Sequence, residues 1–412
     1  MFTVRSCRRA ECNFKIAMKI GIDARPLSHG QAGITRYLRC LIEAMAKLDQ
    51  THEYFLYSNR DFDTAFEDAQ WHKRVSLNFR NIPGTVWLQL TAPEAARKDK
   101  LEIFWGTEHF LPWGLPRSVR RVLTIHDVVW RTLPETMAAY NRLVHRLLVD
   151  PSLERADLIL VPSLSTQKDL MRYFPWMQAP VRVIYEGVAP HYQPCDRVAA
   201  AYHIAQKFKT SREYILSVGT LEPRKNLLTL IEAFYILRRK SLLDVQLVIA
   251  GAKGWGKGDV RRRTLELGLS DREVRFVGFV PEEDMPALYA GALVFVYPSL
   301  YEGFGLPLLE ALACGAPVAC SNRSSLPEIG TDAVLYFDPE SPEEMAGALL
   351  RILSDSFLKG TLVRRGLERA RRFSWESCAR SVLATFDEVA RTLSSSRAEI
   401  NSDRTSHMAL FI

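Results

Sequence analysis

Cysteine is scarce and scattered: seven residues, at positions 7, 12, 40, 195, 314, 320 and 378, with no Cys-x2-Cys spacing among them. That pattern suits neither a disulfide framework nor a zinc site, and a reducing compartment is expected. Long apolar runs are missing too. The longest uncharged stretch, Met285 to Tyr301, contains Pro286, Gly291 and Pro298 and falls short of the roughly 20 apolar residues a spanning helix needs. No transmembrane helix is predicted. Export is not expected either, because Arg8-Arg9 is followed by AECNFKIA rather than an apolar segment. Charge of one sign is only mildly in excess: 54 Lys plus Arg against 47 Asp plus Glu leaves +7. This suits a phosphorylated ligand or an anionic membrane face and is too little to argue for nucleic acid. No internal repeat or low-complexity core segment is seen.

What is present is a chain of 412 residues, 47% apolar and 25% charged, which is an ordinary folded composition on a length that calls for two domains. Strand-length apolar runs alternate with helical patterns almost throughout, the signature of parallel sheets built from βαβ units. The fold class is α/β. Strands are expected near residues 19–23, 53–58, 101–105, 121–125, 158–162 and 181–185, and a helix over 32–48. A second group is expected at 214–219, 245–251, 274–278, 293–298, 317–321 and 334–337. The boundaries that follow are an N-terminal extension over 1–17, ahead of Met18, a first domain over 18–188, a Pro-containing linker over 189–212 and a second domain over 213–372. A terminal helix over 373–392 and a polar, disordered tail over 393–412 complete the reading. Two doubly wound, Rossmann-like sheets of this kind place ligands at the carboxyl ends of their strands, in a cleft between the domains.

Two motifs sit where such a cleft would be. In SVGTLEPRKNL (217–227), Arg224 and Lys225 stand between a strand and a helix, where cations and free helix amides make a phosphate site. In YEGFGLPLLEALACGAPV (301–318), Glu302 follows a strand, Gly303 and Gly305 flank Phe304, and Leu306 opens a helix that carries Glu310. Two carboxylates seven residues apart can hold two groups of hydroxyls on one elongated ligand. Glu310 lies in an apolar run and needs a partner. A third segment, TIHDVVW (124–130), ends a first-domain strand with His126 and Asp127. A neutral histidine there can hydrogen-bond a sugar hydroxyl.

Together these segments resemble the retaining, GT-B-fold glycosyltransferases of the glycosyltransferase group 1 family. GIDARPL, the glycine loop GQAGITRY (30–37) and the HDVVW segment are similar to bacterial GDP-mannose-dependent mannosyltransferases. The resemblance implies an acceptor-binding first domain and a donor-binding second domain. It implies diphosphate binding by Arg224 and Lys225, a donor-sugar contact for Glu302 and a ribose contact for Glu310. Gly33 would lie close to the diphosphate, and His126, with Asp127, would approach the transferred sugar. Gly303, Phe304, Gly305 and Leu306 would line the donor site. Thr220 stands where many family members carry an arginine, which throws more of the phosphate neutralisation onto Arg224 and Lys225. The family further implies a nucleoside-diphosphate sugar as donor with no cofactor, GDP-mannose above others, and a glycan or polyprenyl-linked acceptor. The terminal helix would pack back across the first domain. A cytoplasmic location, with peripheral contact on the inner membrane face, is expected.

Other signals are set aside. Asp61-Phe62-Asp63 has the form of a metal-binding Asp-x-Asp but lies in a polar loop away from the phosphate motifs, so metal-free catalysis is expected. Gly251, Gly254, Gly256 and Gly258 do not have G-x-G-x-x-G spacing. The basic run 351–373 reads as a solvated helix face before it reads as a membrane contact. Two competing functions stay open: a nucleotide-sugar epimerase of similar architecture, and a non-catalytic nucleotide-sugar-binding protein.

Overall fold

A computed structural model describes residues 17–28, 33–76, 82–241, 243–255 and 259–408. Within them are two wholly parallel sheets. The first contains β1 (Lys19–Asp23), β2 (Glu53–Ser58), β3 (Trp71–Val75), β4 (Ile103–Gly106), β5 (Arg120–Thr124), β6 (Leu158–Val161) and β7 (Val181–Val183), in spatial order 3-2-1-4-5-6-7. The second contains β8 (Tyr214–Val218), β9 (Gln246–Ala250), β10 (Val274–Gly278), β11 (Val294–Tyr297), β12 (Val318–Ser321) and β13 (Leu335–Phe337), in order 10-9-8-11-12-13. Helices cover both faces, so central strands are apolar on both sides: Ile20, Ile103, Phe104, Val294 and Phe295 are fully buried. Each sheet reverses its winding beside its first strand, β1 or β8.

Three expectations need correction. β3, WHKRV, is a mostly polar edge strand, and such a strand carries no apolar run to announce it. The linker is half helix: Arg197–Phe208 is capped by Asp196, which accepts the Ala199 amide at 2.7 Å, and packs on the helix Met285–Gly291. The prolines that suggested a linker, Pro190 and Pro194, precede the cap. Finally, the terminal helix runs Trp375–Met408, through the segment expected to be structureless. Polar though it is, that segment has no glycine or proline to stop a helix. Of the 1–17 extension, all but residue 17 lies outside the described residues.

The terminal helix lies against the helix Gly33–Leu48. Arg182 reaches across to Glu388 at 2.7 Å, and Phe386 meets the Trp105 ring edge-on at 5.7 Å. The chain crosses between the domains at 186–188 and again at 373–375, and the crossings run side by side through a Val188–Ser374 bridge. A Cβ on Gly187 would lie 2.1 Å from the Trp375 nitrogen. Only glycine lets the two crossings approach this closely.

Candidate functional site

The loop after β8 turns through Pro223–Lys225, and Asn226 donates to the carbonyls of Pro298 (3.2 Å) and Pro339 (2.7 Å). That ties it to the loop after β11, and the two loops bring Arg224, Lys225 and Glu302 together. Arg224 donates to Glu302 Oε2, to Glu222 and to the Tyr301 carbonyl at 2.6, 2.6 and 2.7 Å. Lys225 donates to Glu302 Oε1 at 2.6 Å, and the Tyr297 hydroxyl donates to the same oxygen at 2.9 Å. Lys225, Glu302 and Glu222 are all buried. Burial alone would raise the Glu302 pKa, but Arg224 and Lys225 overcome it and hold the carboxyl at about 2. Burial lowers the Lys225 ammonium, opposed by Glu302 and aided by Arg224. The result is an ionised carboxylate between two cations at the carboxyl edge of the second sheet, the arrangement a polar ligand with phosphate and hydroxyl groups can enter.

Gly303 and Gly305 serve different needs. A Cβ on Gly303 would lie 1.8 Å from the His126 carbonyl oxygen, so this glycine permits contact across the cleft, and its own carbonyl accepts from Ser163 (2.7 Å) and Thr166 (3.1 Å) of the first domain. Gly305 has φ of 107°, a left-handed conformation that turns the chain into the helix Leu306–Ala313. The side chains of Phe304 and Leu306 face the core: Phe304 packs near Phe373 (5.9 Å between ring centres) and Tyr185 (6.5 Å). Those two positions can serve a ligand only through their backbone.

Glu310 is 2% exposed. Arg36, from the first-domain helix Gly33–Leu48, donates to its Oε1, and the Tyr289 hydroxyl donates to Oε2 at 2.9 Å. Burial raises the Glu310 pKa, Arg36 opposes this and Glu282 adds to it, leaving the net shift upward. Gly33 opens its helix with open space where a Cβ would stand. Residues 30–32 of the glycine loop lie outside the described residues.

The His126 ring is buried and held by neighbours. Its Nε2 donates to the Thr107 carbonyl at 2.8 Å, and Nδ1 lies 3.9 Å from the buried Glu186. Burial lowers the imidazole, yet Glu186 and the Thr107 carbonyl outweigh it and the net shift is upward. The His126 backbone carbonyl is what meets Gly303. Asp127 accepts the Val129 amide at 3.0 Å and starts the turn that follows. Nearby, His109 is 4% exposed with φ of +63°, a strained conformation for a non-glycine residue.

Sequence reasoning missed Arg36, Glu186, Tyr289 and Tyr297. Arg36 stood inside the glycine loop, and Tyr289 and Tyr297 inside the uncharged stretch Met285–Tyr301, none of them read as part of the site. The Asp61 carboxylate pairs with Lys73 at 2.7 Å, and Phe62 between the two aspartates is buried. Among the described residues no group of three or more His, Cys, Asp or Glu could hold a metal ion. A cleft of about 890 Å³ runs along the outer side of the helix Gly33–Leu48, with Arg39, Glu43, Ala189 and Trp375 on its wall. It meets the site only through Arg36 and Glu282, and Lys225 and Glu302 do not line it.

Known proteins agree with this geometry. The family described as glycosyl transferases group 1 matches residues 200–372, and Glycosyltransferase Family 4 matches residues 32–192. The O-antigen chain mannosyltransferase B of Escherichia coli is 32% identical over 383 residues, covering 90% of this chain and 99% of the relative. Among solved structures, a sucrose-phosphate synthase from Thermosynechococcus elongatus superposes with a TM-score of 0.73 at 22% identity, over 91% of this chain and all (100%) of the other. WaaG, a glycosyltransferase involved in lipopolysaccharide biosynthesis, gives a TM-score of 0.68 at 16% identity, over 89% of this chain and 98% of the other. By the relative that is 32% identical across nearly the whole chain, the two family matches and the shared fold, the chain belongs to the group 1 glycosyltransferases of GT-B fold.

Proposed function

We propose that the protein transfers mannose from GDP-mannose to a glycan or lipid-linked glycan acceptor, with retention of anomeric configuration and without a bound metal ion. The observation that carries the sugar assignment is the 32% identity to a mannosyltransferase across nearly the whole of both chains. The chemistry rests on the cluster of Glu302, Arg224 and Lys225. As the bond from the anomeric carbon to the β-phosphate oxygen lengthens, negative charge grows on the diphosphate, and two pre-placed cations meet it. Glu302 holds sugar hydroxyls and Glu310 the ribose. The acceptor oxygen bonds to the anomeric carbon on the face the diphosphate leaves, and its proton passes to the departing phosphate oxygen. The products are a mannoside and GDP.

A lipid-linked acceptor fits one surface feature. On the helix Ala139–Arg155, Tyr140, Leu143 and Leu147 are 59%, 55% and 59% exposed. They are interleaved with Arg142 and Arg146, and no acid lies between 139 and 148. A stripe of this composition suits the surface of an anionic membrane.

The test is incubation of purified protein with GDP-mannose, UDP-glucose, UDP-galactose and ADP-glucose, each with and without a polyprenyl-diphosphate-linked glycan, in excess EDTA. Transfer from GDP-mannose, giving an α-mannoside in the presence of acceptor, is expected. Activity that EDTA abolishes and magnesium or manganese restores would refute metal independence. Conversion of the nucleotide sugar without acceptor would point to the epimerase. Nucleotide-sugar binding with no turnover would point to a binding protein.

A further inference from the structure

The pairing at Glu310 has a consequence for how nucleotide enters. A vicinal diol binds a carboxylate through two hydrogen bonds, and both can go to one oxygen, which has two acceptor sites. Both Glu310 oxygens are already engaged, Oε1 by Arg36 and Oε2 by Tyr289. Tyr289 belongs to the same domain as Glu310 and is buried. Arg36 comes from the other domain, its side chain is 22% exposed, and it has a second carboxylate to hold: its Nη2 donates to Glu282 Oε2 at 2.6 Å. Glu282 is itself fixed, since its Oε1 accepts from Tyr192 at 2.7 Å and from His191 at 3.1 Å, both in the chain that follows the first domain crossing. The guanidinium can thus give up Glu310 without losing all its partners, by staying on Glu282. Of the two donors on Glu310, Arg36 is the exchangeable one.

We propose that Arg36 is a positioning residue for the donor, which orients Glu310 and yields Oε1 to the ribose hydroxyls, so that nucleotide entry proceeds through release of a bridge between the domains. This rests on the reading that Glu310 takes the ribose. It assigns Arg36 and Glu282 a part in donor binding and makes their exchange a step in it. The titratable groups facing Glu310 are Arg36 and Cys40 from the first domain, Glu282 from the turn 282–284, Tyr289 from the helix Met285–Gly291, Tyr192 from the interdomain stretch and Cys314 just after the Glu310 helix. Arg36 is the only cation among them, so its removal leaves a buried carboxylate facing another acid and neutral groups.

Stopped-flow binding of GDP, and of 2′,3′-dideoxy-GDP, to wild type, Arg36→Met and Arg36→Lys between pH 6 and 9 tests this. In wild type the observed association rate should level off with GDP concentration, at the rate of bridge release, and affinity should vary little with pH. Arg36→Met should raise that plateau at least tenfold. Its GDP affinity should strengthen about tenfold or more from pH 6 to 9 as Glu310 ionises, with no such gain for the dideoxy nucleotide. Arg36→Lys should restore the flat pH profile and still raise the plateau, because one ammonium holds two carboxylates less firmly than a guanidinium. An unchanged plateau in Arg36→Lys overturns the proposal even if Arg36→Met does not fold. Weakening by one factor at every pH, with the wild-type plateau kept, overturns it in favour of direct contact between Arg36 and nucleotide. If the ribose reading is what fails, wild type binds GDP and the dideoxy nucleotide equally well.

Discussion

The ammonium of Lys225 and the carboxylate of Glu302 meet at 2.6 Å inside the cleft, each of them buried. Lys225 is the closest cation to Oε1, and Arg224 already serves Oε2. Replacing Lys225 with methionine should therefore leave Glu302 paired with Arg224 but remove a charge from the proposed phosphate site. Affinity for GDP should fall about 10- to 150-fold, the worth of one charged hydrogen bond. Calorimetric titration measures it, and unchanged affinity would place the diphosphate elsewhere.

Much of this site was legible in the sequence because parallel sheets put ligands at strand ends, and the relevant residues follow β5, β8 and β11 within a few positions. The clustering of Arg224, Lys225 and Glu302 could be read that way, while Glu310 lies further on, in the following helix. Their partners could not. Arg36 and Glu310 stand 274 residues apart, and nothing local in GITRY shows where its arginine points. Glu186 sits at a domain crossing and gains its role only when the sheet brings it to His126. The fold shows the same division. Buried strands carry apolar runs and were readable, whereas β3 is a polar edge strand and the helix Arg197–Phe208 follows a proline-bearing stretch that masked its start.

Acid stability should report on Glu302. Its pKa is about 2 in the fold against an ordinary 4.5, a depressed value, so the folded state binds fewer protons than the unfolded state between these two pH values. The stabilisation is present above about pH 5 and is lost as pH falls toward 2. At 1.36 kcal/mol per unit it reaches about 3 kcal/mol. Urea unfolding at pH 6 and pH 3 should show wild type losing about 2 kcal/mol more stability than Glu302→Gln, the remainder being lost below pH 3. Equal losses would mean that the carboxylate is not held by its two cations.

Membrane contact should depend on the exposed stripe of Tyr140, Leu143 and Leu147. Wild type should co-sediment with vesicles containing phosphatidylglycerol and not with neutral phosphatidylcholine vesicles. Leu143→Ser with Leu147→Ser should reduce that binding several-fold while leaving transfer to a short, water-soluble acceptor unchanged. Binding that survives both substitutions would move the contact elsewhere, the basic segment 351–373 being the next candidate.

The two glutamates of the donor site should separate kinetically, because their surroundings differ as much as their expected ligand groups. Glu302 faces Arg224 and Lys225, the cations proposed to meet the diphosphate, and Glu310 faces Arg36 and Tyr289. A ribose contact is similar in the ground and transition states, so Glu310→Gln should mainly raise donor KM and weaken free GDP binding, with kcat little changed. A sugar contact tightens as the anomeric carbon moves, so Glu302→Gln should lower kcat by about 10- to 150-fold. Its effect on free GDP should run the other way from that of Glu310→Gln. With the carboxylate neutralised, Lys225 and Arg224 lose their competitor for phosphate, and GDP should bind as tightly as to wild type or more tightly. Dissociation constants for GDP and steady-state constants for both variants decide the matter. A Glu302→Gln enzyme that loses free GDP binding as severely as Glu310→Gln would remove Glu302 from the sugar and place it on the nucleotide.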